Sequence, residues 1–99
     1  MSYRNKKLLA AAKDQPCVLC GSRGTTVAAH ANSVALGKGT GIKAPDYYTA
    51  WLCQYHHNMV DGRLRMVKGS AYRDRQELWT AAFVLTVARW FEEGIIIVK

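Results

Sequence analysis

Short apolar stretches separated by glycine- and proline-marked breaks run along the chain, and this rhythm predicts a small domain of mixed elements. Residues 4–13, Arg-Asn-Lys-Lys-Leu-Leu-Ala-Ala-Ala-Lys, are rich in helix formers and predict one short helix. Pro16 ends it and opens a turn over Cys17–Gly21. Thr25–His30 starts on β-prone residues and predicts a strand. Gly37, Gly39, Gly41 and Pro45 make residues 37–46 a long irregular loop. The apolar and aromatic stretch from Tyr48 predicts a second strand ending near Cys53, followed by a helix that begins around His56 and stops at Gly62. Ser70 is suited to cap a last long helix over 71–92. Gly94 ends that helix, and Ile95-Ile96-Ile97-Val98 predicts a terminal strand.

The last helix is apolar on more than one face. Leu78, Ala82 and Leu85 fall on one stripe, and Trp79, Phe83, Val87 and Trp90 on another. A surface helix needs only one such stripe. Either this helix is central to the core, or one stripe forms a homodimer contact.

Composition narrows the function classes. The 99 residues hold one domain, 1–99, and 49% apolar content excludes a disordered tail. A domain this small buries only about 60–65% of its unfolded surface, so a structural metal would supplement its core. Fourteen Lys and Arg against seven Asp and Glu give a formal charge of +7, which points to a polyanionic partner, DNA first. No apolar run approaches the ~20 residues of a membrane span. The N-terminal Arg4, Lys6 and Lys7 precede only a short run, Leu8–Ala12, ended by Lys13, so a signal peptide is not expected and a cytoplasmic location is.

Three cysteines cannot all pair, and their spacing suits a metal instead. Cys17-Val-Leu-Cys20 and Cys53-Gln-Tyr-His56 are two short knuckles separated by a few tens of residues. Each can bring two side chains to one point, so together they supply the four ligands of a closed, structural Zn²⁺ site. Ordinary buried cysteines beside a chance histidine are the alternative, and His57 could replace His56 as the fourth ligand. His57 and Asp61 are four residues apart, which on a helix places them on one face with a shared metal within reach. A solvated surface pair would have the same spacing. With His56 on zinc, His57 points about 100° away around the helix and is available to a second, catalytic divalent ion. His30, followed by Asn32, is either a satisfied core histidine or a neutral imidazole placed as a general base.

The order Cys-x2-Cys, strand, His, loop, strand, Cys-x2-His-His-x3-Asp resembles the zinc-knuckle branch of the HNH, or ββα-metal, endonucleases. More closely, Ala29-His30-Ala31-Asn32, the loop from Gly37 to Asp46 and Leu52-Cys53-x2-His56-His57 resemble the YbcO-like family of small prophage nucleases. The resemblance spans residues 8–97, including Glu93-Gly94-Ile95. It implies an α+β fold: a zinc-stapled ββα-metal finger flanked by an N-terminal helix and a long C-terminal helix. It implies that Cys17, Cys20, Cys53 and His56 hold the structural Zn²⁺, His56 standing where relatives usually carry a fourth cysteine. It implies that His30 is the general base, that His57 and Asp61 hold a catalytic Mg²⁺ or another divalent ion, and that Asp46 lies near the place of the middle Asn. The chain departs from the pattern in that Asn, so Asp46 would orient the base or be a ligand itself. It departs again at Ala29, where many relatives have a metal ligand.

Basic residues complete the picture. The glycine loop lacks a P-loop pattern, and is either plainly flexible or brings Lys38 and Lys43 to backbone phosphates. Arg63, Arg65, Lys68, Arg73 and Arg75 form the densest basic run, either solvated surface or a further set of phosphate contacts. The expected function is hydrolysis of DNA phosphodiesters by a phage or prophage endonuclease. The alternatives are a zinc-stapled nucleic-acid-binding module without catalysis, and a protein-interaction module built on the C-terminal helix.

Overall fold

The computed structural model describes residues 3–39, 41–62 and 72–98. In chain order these contain α1 (Lys6–Ala10), β1 (Val27–His30), a 3-10 turn (Val34–Leu36), β2 (Thr49–Leu52), α2 (Gln54–Val60) and α3 (Tyr72–Glu92). The expected α+β architecture is present, with the two strands paired antiparallel and Val27 opposite Leu52, Ala28 opposite Trp51, Ala29 opposite Ala50, and His30 opposite Thr49. The expected N-cap Ser70 and the basic residues Arg63, Arg65 and Lys68 lie outside the described residues. No described helix is long and apolar enough to cross a membrane.

β2 is buried along its whole length and divides the core. Because strand side chains alternate, Ala50 and Leu52 join Cys17, Ala29, Val60, Trp79 and Ala82 on one side. Trp51 joins Leu8, Ala12 and Trp90 on the other. The same alternation accounts for Ala29, where a ligand is absent: it is 1% exposed, packed in the core while its neighbour His30 is only partly buried.

Several boundaries differ from expectation for identifiable reasons. α1 is capped by the Asn5 side chain, which accepts from the Leu8 amide at 3.0 Å. It is shorter than 4–13 because the chain tightens after Ala10 through Ala12→Leu9 and Lys13→Ala10 backbone bonds, ending at Asp14 with φ 68°. β1 starts at Val27 rather than Thr25, whose hydroxyl instead accepts the first amide of α2, Gln54 N–H, at 3.0 Å. α2 therefore begins two residues earlier than His56, with Cys53 at its N-cap.

Ile95–Val98 is not a strand. Gly94 adopts φ 73°, and the amides of Ile95 and Ile96 fold back onto the Trp90 carbonyl at 2.9 and 3.1 Å. Ile95 and Ile96 pack on the Trp51 cluster, while Ile97 and Val98 are exposed. High β-propensity finds no free ladder here. The outward backbone groups of Trp51 in β2 are already taken, its N–H by the Thr86 hydroxyl at 2.9 Å and its carbonyl by Val18 N–H at 3.1 Å.

α3 buries one stripe rather than two. Trp79, Ala82, Thr86 and Trp90 face the core, with Leu78, Phe83 and Val87 partly buried beside them. Leu85, at the end of the other apolar stripe, is 47% exposed. The stripe has a polar member at its centre: Thr86, fully buried, donates to Ala82 O at 2.8 Å while accepting from Trp51. Thr86→Val keeps the shape but leaves the Trp51 amide buried without an acceptor, a loss of about 1–3 kcal/mol. Urea unfolding should show that loss as a lower midpoint at unchanged slope, with Thr86→Ser close to wild type.

Candidate metal centre and adjoining hollow

The two knuckles meet. Cys17, Cys20, Cys53 and His56 place their ligand atoms all within 4.8 Å of one another. The Cys20–Cys53 sulfur distance is 3.8 Å, and His56 Nδ1 lies 3.7 Å from the Cys17 sulfur and 3.3 Å from that of Cys53. Tetrahedral Zn²⁺ with Zn–S near 2.3 Å and Zn–N near 2.05 Å requires about 3.8 Å between sulfurs and about 3.6 Å between sulfur and nitrogen. The four residues could therefore bind a metal ion such as zinc.

Local structure produces this convergence. Cys53 is the N-cap of α2 and His56 stands three residues on, the pair of positions whose side chains meet across a helix's first turn. Cys17 and Cys20 lie in a turn closed by Gly21 N–H to Cys17 O at 2.8 Å, with Gly21 at φ 76°. Burial pushes the Cys17 thiol up, but amides of Cys53, Leu19 and Cys20 directed at its sulfur outweigh this and leave it below its ordinary value. For Cys20 the Ser22 amide pulls down, while loss of solvent and the sulfurs of Cys17 and Cys53 push up and prevail. A cation is the natural relief for sulfurs so crowded.

The choice between the two histidines is settled by the helix. His56 joins the sulfurs, and His57, the next residue around α2, turns to a different surface, where its Nε2 lies 3.2 Å from Asp61 Oδ2. Both line a hollow of about 710 Å³ together with His30, Asn32, Lys38 and Lys43. Sequence-distant residues from β1, the 37–46 loop and α2 thus share one concavity. Arg73 and Arg75, at the start of α3, are not among its lining residues.

His30, at the end of β1, is fixed by Asp46. The His30 Nε2 to Asp46 Oδ1 distance is 2.8 Å. Asp46 is nearly fully buried, and also accepts from Arg4 Nη1 on Oδ1 at 3.0 Å and from Asn5 N–H on Oδ2 at 2.6 Å. Burial alone would raise its pKa, yet the bonds from His30, the Asn5 amide and Arg4 hold it below the ordinary carboxylate value. With the Asp46 carboxylate as acceptor, this bond takes the proton on His30 Nε2, the tautomer that leaves the lone pair on Nδ1. Both oxygens of Asp46 are engaged inside the protein, which argues against a metal-ligand role and for an orienting one.

Two of these partners escape sequence inspection. Arg4 and Asn5 look like part of a basic N-terminal stretch, and nothing in their spacing to Asp46 signals a contact across about forty residues of chain. The described residues on either side of position 40 in this loop are also held by more contacts than their glycines suggest. Gly39 and Ile42 pair through two 3.0 Å bonds, and a side chain at Gly37 would meet Pro45 Cδ at 2.9 Å. Arg4 adds bonds to Lys43 O and Ala44 O.

One solved structure is similar: a protein from Escherichia coli str. K-12 substr. MG1655, provisionally described as a bacteriophage protein. It matches with a TM-score of 0.64 and 24% identity over 87% of this chain and 98% of that one. The likeness is one of fold. No protein-family model and no curated protein matches the chain.

Cys17→Ser and Cys53→Ser should each lose bound zinc and much of the fold, since metal-binding energy in a small domain is folding energy. His56→Ala should lose zinc by elemental analysis, whereas His57→Ala should retain it. The Asp46 carboxylate, depressed on folding, stabilises the protein above the ordinary value of 3.8 and loses that contribution as pH falls through its lowered value. Asp46→Asn should therefore cost stability at pH 6, with the gap to wild type narrowing at pH 3, as read from denaturant midpoints.

Proposed function

We propose that this protein is a metal-dependent DNA nuclease of the HNH, or ββα-metal, type. The observation that carries the reading is the hollow itself. It gathers an Asp-fixed histidine, a His–Asp pair and two lysines beside a Cys3His cluster, and the histidine, the pair and the cluster match the roles the HNH resemblance implies. The description of the E. coli neighbour as a bacteriophage protein agrees with a phage or prophage nuclease.

In this reading Cys17, Cys20, Cys53 and His56 hold a structural Zn²⁺ that fixes α2. His30 Nδ1 takes the proton of the attacking water as the P–O bond to the leaving sugar oxygen breaks, and Asp46 holds the ring in the tautomer this needs. His30's side chain is 17% exposed, enough for a water to reach it. His57 Nε2 and Asp61 Oδ2 would hold a divalent ion, since ligands at about 2.1 Å on neighbouring octahedral positions stand about 3.0 Å apart. Such an ion, Mg²⁺ or another, supplies charge neutralisation at the phosphate and the leaving oxygen. Lys38 and Lys43 would contact flanking phosphates, and Arg63, Arg65 and Lys68 retain that proposed role from the sequence. A homodimer contact, if formed, would use the exposed Val84, Leu85 and Phe91 of α3.

The test is cleavage of supercoiled and linear DNA with Mg²⁺ or Mn²⁺. His30→Ala should lower the rate by about 10²–10⁴-fold while zinc content and the folded state survive, with a lower melting temperature because Asp46 loses one of its three donors. His57→Ala should abolish cleavage, and a higher divalent concentration should partly rescue Asp61→Ala but not His30→Ala. Salt-sensitive DNA binding by wild type with no cleavage under either ion would instead support the zinc-stapled binding module.

A further inference from the structure

A second hollow, of about 610 Å³, adjoins the first and is also lined by His30. Its walls include Arg4, Lys6, Gly41, Lys43 and Asp46. It meets the first hollow at Leu9, His30 and Lys43, the residues that line both. The candidate base thus stands on the divide between two concavities rather than at the bottom of one.

The second hollow is cationic. Its one acid, Asp46, has a side chain only 3% exposed, with both oxygens bonded to Arg4, Asn5 and His30. Asp46 offsets the charge of Arg4, its ion-pair partner, and Lys6 and Lys43 leave the hollow net positive. Arg4 is held in place by the Lys43 and Ala44 carbonyls at 2.9 and 2.7 Å and by Asp46 at 3.0 Å, yet its side chain remains 45% exposed. A cation pinned in this way loses little further freedom when an anion arrives.

We infer that Arg4, Lys6 and Lys43 form a subsite for a phosphate flanking the one attacked, so that a DNA strand crosses the His30 divide from one hollow to the other. The inference takes the identity of the polyanion from the nuclease reading. It goes beyond that reading by giving the strand its path and by making an isolated phosphodiester an incomplete substrate. Lys6 is the residue to test. It is exposed, lies outside the first hollow, and sits at the start of α1, where alanine is an equally good helix former.

The experiment uses the zinc-loaded full chain and two substrates. One is a 12-nucleotide single-stranded DNA, and the other is bis(p-nitrophenyl) phosphate, a diester with no flanking phosphate to occupy the second hollow. Lys6→Ala should weaken binding of the oligonucleotide, measured by anisotropy without divalent ion, and flatten its log–log salt slope by about 0.7. Raising salt from 50 to 200 mM should then cost the variant about threefold less affinity than wild type. Oligonucleotide cleavage should fall with binding, hydrolysis of the small diester should stay unchanged, and Lys6→Arg should restore both binding and slope. Wild-type affinity and slope in Lys6→Ala overturn the subsite, even if wild type cleaves DNA. An equal loss on both substrates also overturns it, because the effect is then not one of path. A Lys6-dependent slope in a protein that cleaves neither substrate keeps the subsite and removes the nuclease reading. Absence of any oligonucleotide binding by wild type overturns both.

Discussion

The convergence of four ligand atoms within 4.8 Å, two from the turn after α1 and two from the first turn of α2, governs how the rest of the site is oriented. Two side chains on a helix's opening turn cannot be aimed at a fixed point without also fixing the rotation of that helix about its axis. With His56 turned to the sulfurs, His57 and Asp61 have no choice of surface, and they face the hollow that His30 lines. Small domains need such a constraint, because their cores alone leave little margin. Here the hydrophobic core is divided into two clusters on either side of β2, and the cysteine turn contributes to the larger of them.

A second constraint acts through Asp46. Its carboxylate ties the N-terminal segment to the end of β1, and its backbone amide bonds Tyr3 O at 3.0 Å. One buried acid therefore holds Tyr3, Arg4 and Asn5, the glycine loop and the candidate base in a single network. A buried carboxylate would be costly alone; satisfied by three donors, it is a rigid support. The same network immobilises Arg4 at the edge of the second hollow, so orientation of the base and placement of a cation have one structural cause.

The larger part of the metal centre was legible in the chain. Two knuckles of fixed spacing favour a metal over ordinary buried cysteines, because each knuckle's two side chains are brought together by residues a few positions apart. The i,i+4 relation of His57 and Asp61 was legible for the same reason. What local spacing left open was which of two adjacent histidines joins the sulfurs, and that depended on where α2 begins. Its start at Gln54 rests on the Thr25 hydroxyl, a contact across 29 residues. Propensity misled at Ile95–Val98, where a strand former met a sheet edge whose Trp51 groups were already bonded.

By itself the sequence determined the two paired strands and the long final helix, three cysteines with one of two adjacent histidines as candidate zinc ligands, and the excess of positive charge. These follow from composition, periodicity and short-range spacing. Tertiary structure alone decided that Asp46 faces His30, that Arg4 and Asn5 complete its shell, that Thr86 rather than Leu85 enters the core, and that His30 stands between two hollows. Each of these depends on groups 16 to 42 residues apart or on which face of a helix meets a strand. No local pattern encodes such relations, because they are fixed only when the whole chain has packed.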